Sequence, residues 1–175
     1  MNMKNPSESF TMMTEMIMPN DTNPLGNLMG GNLMRWMDIC GGICAGKHSE
    51  AHVVTASVDH VSFEKPINLG DVIEITSKVT RAFKTSLEVY IEVHVLKITG
   101  AEKLKSNHAY MTFVALDSKT YVPIQIPKLN PVTDEEKLIY ESAPRRRELR
   151  LILSGRIKPE QATGLRKFFD EMDKL

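Results

Sequence analysis

The sequence has little material for covalent or metal cross-links. Of its 175 residues only two are cysteines, Cys40 and Cys44, which lie four residues apart in a segment with helical character. Two such cysteines cannot hold a fold together through disulfides, and they do not make a four-ligand zinc site. This cysteine usage predicts a reducing, cytoplasmic setting.

Long apolar runs and an excess of one charge are also missing. No apolar run approaches the roughly 20 residues that span a bilayer, and the polar segment Met1–Phe10 has no signal-peptide core. Lys+Arg and Asp+Glu number 22 each, so the formal net charge is zero. This balance argues against a protein whose main partner is a polyanion. We therefore expect neither a membrane nor a nucleic-acid partner.

Several sequence motifs of well-known enzyme classes are absent. The chain has no G-x-S-x-G nucleophile motif, no G-x-x-x-x-G-K phosphate loop and no H-E-x-x-H metal motif. Its five histidines are scattered, whereas metal sites need clustered ligands. We expect no metal site and no metal or redox cofactor. The five are His48, His52, His60, His94 and His108.

The residues that are present predict one α+β domain with short extensions. Residues 1–12 are expected to form a mobile N-terminal arm, residues 13–118 the domain, and residues 119–175 a proline-containing linker and helical tail. Between Asn32 and Lys47, apolar residues recur at helical spacing on most sides, which predicts a buried helix. From residue 52 the period becomes two, which predicts four long strands that meander antiparallel and are covered by that helix.

Turn and cap signals divide the rest of the chain. Thr99-Gly100-Ala101 predicts a turn before the last long strand. In the tail, Thr133 with Glu136 three residues later is a capping-box pattern that predicts a helix start. Pro144 is expected to interrupt this helix. A further short helix is predicted over Pro159–Lys174.

Asp38 is the first candidate for chemistry. It lies in the middle of the apolar helix, and most of its helical neighbours are small, so a ligand can approach closely. A carboxylate in apolar surroundings costs several kcal/mol unless it is paired or used. The ordinary alternative is a salt bridge with Arg35, three residues earlier. Position alone leaves both open.

Gly30, Gly31 and Asn23 lie at or before the start of the same helix. Backbone N–H groups at a helix start can stabilise an oxyanion, although the glycine pair also suits a tight turn, and Asn23 suits a turn as well. Together with Asp38 these residues favour attack of water on an acyl carbon. A thiol leaves as thiolate because its pKa is near 8–9, so a thioester fits better than an amide.

Three segments resemble one protein family. MPNDTNPLGNLMGGNLMRWMDICGGICA, VVTASVDHVSFEKPINLGDVIEI and TSLEVYIEV are similar to hotdog-fold acyl-CoA thioesterases of the acyl-CoA hydrolase group, over roughly residues 16–118. The resemblance implies a hotdog fold, in which a long antiparallel sheet wraps one central buried helix. It also implies a homodimer with a continuous sheet, usually assembled as a trimer of dimers, a hexamer.

The same resemblance implies roles for particular residues. Asn23 and Asp38 would be catalytic and come from opposite protomers. Asp38 would be general base or nucleophile, Asn23 would orient the water or the thioester, and Gly31 would supply an oxyanion donor. The implied substrate-binding residues are Gly30, Thr55, Asp59, Phe63, Arg81, Lys84, Thr85 and Ser86.

The coenzyme A part of the substrate is harder to place. Arg81 and Lys84 fit the 3′-phosphate by position, and the basic cluster Arg145–Arg147 is a rival, although a solvated helix face is its more ordinary interpretation. The family has glycine where this chain has Phe83, which puts the turn type in doubt. Coenzyme A enters only as part of the substrate or product.

Two alternative functions remain open. An acyl-thioester hydratase or dehydratase generally needs a histidine near the helix start, and none precedes His48. A non-catalytic acyl-CoA binding or sensing module would not need both Asn23 and Asp38. The sequence does not give the acyl chain-length preference. For it, we expect a tunnel lined by residues such as Met34, Trp36 and Met37.

Overall fold

The computed structural model describes residues 3–63, 65–96 and 102–172. The chain divides into two compact units, Met1–Asn130 and Pro131–Leu175. The predicted turn at Thr99-Gly100-Ala101 lies outside the described residues. No helix in the described part of the chain is both long and apolar enough to cross a membrane.

The central helix α2 spans Gly30–Ser49 and is the core of the first unit. It begins two residues before the predicted start and ends two residues after the predicted end. Glu50 follows in the left-handed conformation, with φ 55°, and its amide bonds to the Gly46 carbonyl, which ends the helix. Buried residues lie on most sides of α2, as its apolar composition predicts. They are Leu33, Trp36, Met37, Cys40, Gly41, Cys44, Ala45, His48 and Ser49.

One five-stranded antiparallel sheet wraps this helix. Its strands are β2 Thr11–Met16, β3 His52–Phe63, β4 Val72–Ala82, β5 Ser86–Leu96 and β6 Lys103–Leu116. Alternate side chains of β4, β5 and β6 are buried, and all five strands contact α2. The period of two therefore predicts the buried face correctly, and the expected helix-in-sheet fold is confirmed.

The order of the strands differs from the expected meander. The sheet runs β2-β4-β5-β6-β3, so β3 pairs with β6 rather than with β4, which follows it in the chain. Alternation identifies strands but carries no information about their neighbours. As a result β3 is an edge strand, and Val54 and Val58 on it are exposed.

Residues 3–12, within the segment expected to be a mobile arm, form regular elements. They form β1 (Met3–Lys4), α1 (Pro6–Ser9) and the start of β2. β1 pairs in parallel with β7 (Lys128–Leu129), and Ser9 is fully buried. These elements are too short and too polar to show a hydrophobic period, so the sequence pattern misses them.

The first unit also extends beyond the predicted boundary at residue 118. Ile126 and Leu129 are buried, at 3% exposure each. The Ile124 amide bonds to the Ala115 carbonyl, which ties this segment to β6. The linker character predicted from its prolines is therefore wrong for residues 119–130, because apolar residues between the prolines are buried.

The second unit contains two helices, α3 (Asp134–Leu153) and α4 (Thr163–Met172). Thr133 caps α3 as predicted, because its hydroxyl accepts from the Glu136 amide. Pro144 does not interrupt α3, contrary to expectation. Nearby, the Ile139 carbonyl also accepts from the Ser142 hydroxyl and from Arg146.

Candidate active site

Asp38 projects from the middle of α2 and is half-buried. The Thr55 hydroxyl, on β3, donates a 2.5 Å hydrogen bond to Asp38 Oδ1. Arg35 instead holds its guanidinium carbon 5.7 Å from the centre of the Trp36 ring. Within the residues that the structure describes, no ion pair joins Arg35 to Asp38. The salt-bridge alternative for Asp38 is therefore wrong, and the carboxylate is positioned by a hydroxyl from the edge strand.

A bulge in β3 accompanies the Asp38–Thr55 contact. Thr55 pairs with Phe113 and Ser57 with the adjacent Thr112, so Ala56 is an extra residue on β3. Bulges add twist and re-aim side chains, and they are frequent beside active sites. The irregularity thus lies directly next to the hydroxyl that holds Asp38.

The start of α2 presents two glycine amides. Met29 precedes the helix in an extended conformation, and its carbonyl accepts from the amides of Asn32 and Leu33. Among the described residues, no acceptor is recorded for the amides of Gly30 and Gly31. A Cβ added to Gly31 would meet nothing within 4 Å, so this backbone can be approached closely. These are the properties that an anion-stabilising helix start requires.

Asn23 shapes the loop that leads into α2. Its Oδ1 accepts from the amides of Leu25 (2.9 Å) and Asn27 (3.2 Å). The Asn23 backbone also closes the loop, because its amide bonds to the Asn27 carbonyl and its carbonyl accepts from Gly26. Its side-chain Nδ2 has no partner in the described part of the chain. Asn23 is thus a turn residue, as the simpler interpretation holds, and it also keeps one free donor.

Asn23 and Asp38 do not meet within one chain. No hydrogen bond or ion pair between them is recorded among the described residues. The Asn23 loop is instead tied to the segment before β4, where Asn27 bridges Asn68 and the Leu28 amide bonds to the Ile67 carbonyl at 2.7 Å. The loop that carries Asn23 is thus held by the segment before β4, whereas Asp38 is held by β3.

The other candidate binding residues fall into two groups. Asp59 and Phe63 lie on β3 with Thr55; Asp59 is half-buried opposite Tyr110, and Phe63 ends the strand with 57% of its surface exposed. The second group surrounds the hairpin between β4 and β5. It comprises Arg81, which pairs in register with Glu88, exposed Lys84, and the half-buried Thr85 and Ser86.

The hairpin itself closes without a glycine. The Phe83 amide donates to the Ser86 carbonyl at 2.8 Å. Among the described non-glycine residues, only Glu50 and Tyr121 have positive φ, so Phe83 is in an ordinary conformation. A glycine at this position is therefore not needed here, and the doubt about the turn is removed.

The basic cluster of the second unit already has local partners. The Arg145 guanidinium carbon lies 4.5 Å from the centre of the Phe168 ring. Arg146 donates to the Ser142 hydroxyl at 2.6 Å and to the Ile139 carbonyl at 2.9 Å. At least two of the three arginines thus help to organise the helices that carry them.

Neither cysteine has the properties of a nucleophile. Both are free and buried, and burial raises the pKa of the Cys44 thiol to about 11. Burial also raises the pKa of the Cys40 thiol. No group of three or more His, Cys, Asp or Glu side chains in the described residues is arranged to hold a metal ion.

Ser106 and Asn107 form a buried polar pair that no sequence motif marks. Ser106 donates to Asn107 Oδ1 at 2.6 Å, and Asn107 Nδ2 donates to the Ser62 carbonyl at 2.6 Å. Ser106 is 0% and Asn107 is 1% exposed. Two adjacent polar residues at the start of a strand carry no motif, so only their pairing across the β3–β6 ladder reveals them.

Known proteins match both the sequence and the fold of this chain. The thioesterase superfamily model matches residues 25–101. A protein of Bacillus subtilis named as an uncharacterized acyl-CoA thioester hydrolase is 36% identical over 139 residues, covering 79% of this chain and 80% of that protein. Mouse acyl-coenzyme A thioesterase 11 is 34% identical over 155 residues, covering 89% of this chain but 25% of its own length. The chain thus spans about a quarter of that longer relative.

Solved structures agree with these relatives. An acyl-CoA hydrolase from Staphylococcus aureus, in complex with butyryl coenzyme A and coenzyme A, has TM-score 0.81 and 37% identity, covering 87% of this chain and 94% of that one. Variants of that enzyme with an aspartate, an asparagine or a threonine replaced by alanine have also been solved. A hexameric acyl-CoA thioesterase has TM-score 0.84 and 35% identity, covering 88% and 98%.

The helix wrapped by an antiparallel sheet, with an aspartate in mid-helix, defines a hotdog-fold protein of the thioesterase class. The chain belongs to the thioesterase superfamily, in its acyl-CoA thioester hydrolase group. The fold and the family implied by the sequence resemblance are both confirmed.

Proposed function

We propose that this protein hydrolyses acyl-CoA thioesters to a free carboxylic acid and coenzyme A, with Asp38 as the catalytic carboxylate. The observation that carries the proposal is the Thr55–Asp38 hydrogen bond. In the Staphylococcus aureus enzyme, the substituted asparagine, aspartate and threonine are separated by 15 and 17 positions. Asn23, Asp38 and Thr55 are separated by the same 15 and 17 positions.

Asp38 supplies the negative charge that the reaction needs. As general base it takes a proton from water as the water oxygen attacks the acyl carbon; as nucleophile it attacks that carbon directly. Thr55 fixes Oδ1 in either case, so Oδ2 remains for the water or the acyl carbon. On the nucleophilic route the Asp38 carboxylate displaces the thiolate to form a mixed anhydride, which water then hydrolyses. Label from ¹⁸O-water in the Asp38 carboxylate after a single turnover identifies this route with attack at the Asp38 carbon, because the general-base route places label only in the released acid.

Asn23 and the start of α2 act as donors to the thioester carbonyl. The Asn23 Oδ1 is held by its own loop, so Nδ2 is the group that reaches the substrate. The Gly31 amide stands at the positive end of the helix and supplies the second donor. Coenzyme A then leaves as thiolate, which needs little help because the pKa of a thiol is near 8–9.

The complete site needs two protomers. Among the described residues no hydrogen bond joins Asn23 to Asp38, and β3, which carries Thr55, is an edge strand of the sheet. Edge strands bind further strands readily. We propose that β3 edges of two protomers pair into a continuous sheet, which brings Asn23 of one subunit to Asp38 of the other. Three such dimers form the proposed hexamer, and one structural relative is a hexameric acyl-CoA thioesterase.

The hairpin between β4 and β5 is the proposed contact for the phosphates of coenzyme A. Arg81 and the exposed Lys84 supply charge, and Thr85 and Ser86 supply hydroxyls. Arg145–Arg147 remain the rival, although Arg145 and Arg146 already have local partners. Lys84→Ala should raise KM several-fold with kcat retained, whereas an unchanged KM would favour the rival cluster.

A reducing, cytoplasmic setting remains part of the proposal. Cys40 and Cys44 are both free, and Cys40 Sγ lies 3.3 Å from the Ser77 hydroxyl in the buried interior. Free thiols at these positions suit a compartment that keeps thiols reduced. Fractionation of cells that express the tagged full chain tests this, and recovery outside the cytoplasmic fraction would contradict it.

The decisive experiment measures free-thiol release from acyl-CoAs, from acetyl to palmitoyl, with the wild-type protein and Asp38→Ala. Asp38→Ala should lower kcat by about a thousandfold or more, because the charge that activates water is lost. Asp134→Ala is the matched control, since Asp134 is fully exposed in the second unit. Tight acyl-CoA binding without thiol release by the wild type would instead identify a binding or sensing module.

Mixed assemblies test the shared site. Asn23→Ala and Asp38→Ala chains are each expected to be nearly inactive alone. A dimer of one with the other contains one site with both substitutions and one intact site, so activity should return toward half of the wild-type value. Verified mixed dimers that stay inactive would show that Asn23 and Asp38 act within one subunit.

A further inference from the structure

The second unit has an open apolar groove between the end of α3 and α4. Its volume is about 310 Å³. Leu149 and Met172 each lie three residues from a groove residue on the same helix, so they extend its apolar surface, and they are 46% and 53% exposed. Apolar surface gathered in one place marks an interaction site. The apolar residues that line the groove are Ile152, Pro159, Ala162, Leu165 and Phe169.

Fixed contacts between α3 and α4 preform this groove. The Glu148 carboxylate of α3 accepts from the first amides of α4, those of Gly164 at 3.3 Å and Leu165 at 2.7 Å. The Arg145 guanidinium carbon lies 4.5 Å from the centre of the Phe168 ring. Phe168 is therefore used within the unit, whereas the adjacent Phe169 is 55% exposed. A surface whose helices are already fixed loses little freedom on binding.

The charges of α4 favour a second copy of this chain as the occupant of the groove. Lys167 and Glu171 pair within the helix at 3.9 Å. Arg166 and Asp170 lie one turn apart on one side of α4, and no ion pair is recorded for either in the described part of the chain. A two-fold axis between antiparallel helices reverses their direction but keeps each side in place. Arg166 of each copy would thus face Asp170 of the other.

The same charges argue against a lipid surface. Helices that lie on membranes are rich in lysine and arginine on their polar face. α4 carries Arg166 and Lys167 against Asp170 and Glu171, so its formal charge is balanced. This balance suits a self-complementary protein contact better than an anionic membrane.

We propose that α4 pairs antiparallel with α4 of a second copy of this chain, with the two-fold axis beside Phe168 and Phe169. The midpoint between Arg166 and Asp170 is Phe168, and the groove-side residues Leu165 and Met172 are also centred there, so one axis satisfies both the apolar and the charged contacts. The pairing uses a surface separate from the β3 edge. It therefore goes beyond the proposed function, because it supports the assembly without completing the catalytic site.

This contact is small, which fits a secondary role. A single pair of short helices buries less than the roughly 1,200 Å² typical of interfaces that are stable alone. It becomes effective when the two chains are already held in one assembly, since the effective concentration of the second contact is then high. We therefore expect the pair to form in the full-length oligomer.

Disulfide trapping in the full chain tests the pairing. Phe169→Cys should give a cross-linked pair of chains under mild oxidation, because residue 169 of both copies lies near the axis. Lys167→Cys is the matched control, since its side chain is 79% exposed and two residues away, on the opposite side of α4. It should remain as single chains on a non-reducing gel. The native Cys40 and Cys44 are buried and should not compete.

Charge reversal shows whether the partner is this same helix. In the Phe169→Cys background, Arg166→Glu places like charges opposite each other across the axis, and so does Asp170→Arg. Each reversed chain alone should cross-link about fivefold more slowly. Coexpression of the two reversed chains should return mixed pairs to within about twofold of the original rate, because every reversed side chain then faces its opposite charge. An ion pair within one helix cannot be restored by mixing.

Three outcomes would overturn the proposal. Equal cross-linking of Phe169→Cys and Lys167→Cys would indicate random collision, and failure of the coexpressed chains to recover would exclude the antiparallel arrangement. Binding of the wild type to vesicles of phosphatidylcholine and phosphatidylserine, without cross-linking of Phe169→Cys, would assign the groove to a lipid surface. Thiol release per folded site should be unchanged in every variant, so the pairing and the proposed hydrolysis can fail independently.

Discussion

The two ends of α2 differ in whether their polar groups already have hydrogen-bond partners. At its start, Gly30 and Gly31 leave backbone amides without recorded acceptors in the described residues, and Gly31 has open space around it. At its end, several polar groups are held: the Ser49 hydroxyl donates to the Ala45 carbonyl, and the Glu50 amide donates to the Gly46 carbonyl. One end is open to a ligand and the other is closed.

The closed end is held by the N-terminal segment. Lys4 Nζ donates to the Lys47 carbonyl at 2.9 Å and pairs with Glu50 at 2.6 Å. Lys47 Nζ in turn donates to the Phe10 carbonyl and the Thr11 hydroxyl. Cations at a helix C-terminus stabilise the helix dipole. Residues at the closed end should therefore affect unfolding, and residues at the open end should affect turnover.

Adjacent residues on α2 give the largest test of this contrast. Met37 is 0% exposed and sits directly before Asp38. Met37→Ala should lower the free energy of unfolding by about 2–5 kcal/mol, because it removes buried volume from the core. Urea unfolding at fixed protein concentration measures this, and kcat per folded site should stay within about threefold.

Met37→Leu is the control for that substitution, because it conserves volume and should cost less than about 1.5 kcal/mol. If Met37→Ala kept full stability but lost turnover, the core assignment of this helix face would be wrong.

Thr55 should show the reverse behaviour. Thr55→Val removes the hydroxyl that donates to Asp38. We expect kcat to fall about tenfold to a hundredfold, or roughly 1.4–2.7 kcal/mol of barrier. The unfolding free energy should change by less than about 0.5 kcal/mol, since Thr55 is exposed. Thr55→Ser keeps the hydroxyl and should retain most of the activity; equal losses in both variants would contradict the positioning role.

Periodicity and motif predicted the parts of the molecule that depend on short-range sequence. The apolar period of α2 gave its burial and, within two residues, its bounds. The alternation in β4, β5 and β6 gave their inner faces. Which strands lie next to each other in the sheet was not predictable. The pairing of β3 with β6 depends on contacts between residues that are about fifty positions apart in the chain.

The candidate site shows the same division. Asp38 and the glycine pair stand out because a charge and two small residues interrupt an apolar helix. The partner of Asp38 did not follow from local pattern: Arg35 is nearer in sequence, but the fold selects Thr55, 17 residues away. Asn107 was missed for the same reason, since its role appears only when β6 is placed beside the end of β3.

His48 gives the closed end a pH dependence. Burial lowers the pKa of His48, against the opposing hydrogen bond between its Nε2 and the Pro127 carbonyl. The unfolded chain then binds the proton more readily than the folded one, so stability is fully present above about pH 6.5 and is lost as pH falls below it. Lys4, Glu8 and Glu50 are the charged groups that also act on this imidazole.

His48→Gln should therefore reduce the loss of stability between pH 7.5 and pH 5.5. Urea unfolding at both pH values measures the difference. Burial also lowers the pKa of His94, so His94→Gln is run beside it to separate the two contributions. An equal pH response in the wild type and His48→Gln would show that this imidazole does not contribute. The turnover of the wild type and of His48→Gln should be compared at pH 7.5, where residue 48 is neutral in both proteins.

Substitution of Lys4 should have the smallest effect on stability. It tests most directly whether the two ends of α2 act separately. Lys4→Met keeps the apolar stem, which is 12% exposed as a side chain, but removes the donor to the Lys47 carbonyl. We expect about 0.5–1 kcal/mol of lost stability, because an exposed helix end regains water in place of the ammonium group. High salt should shrink the difference, and thiol release should be unaffected. A loss of turnover larger than tenfold with unchanged stability would mean that the two ends of α2 are coupled rather than separate.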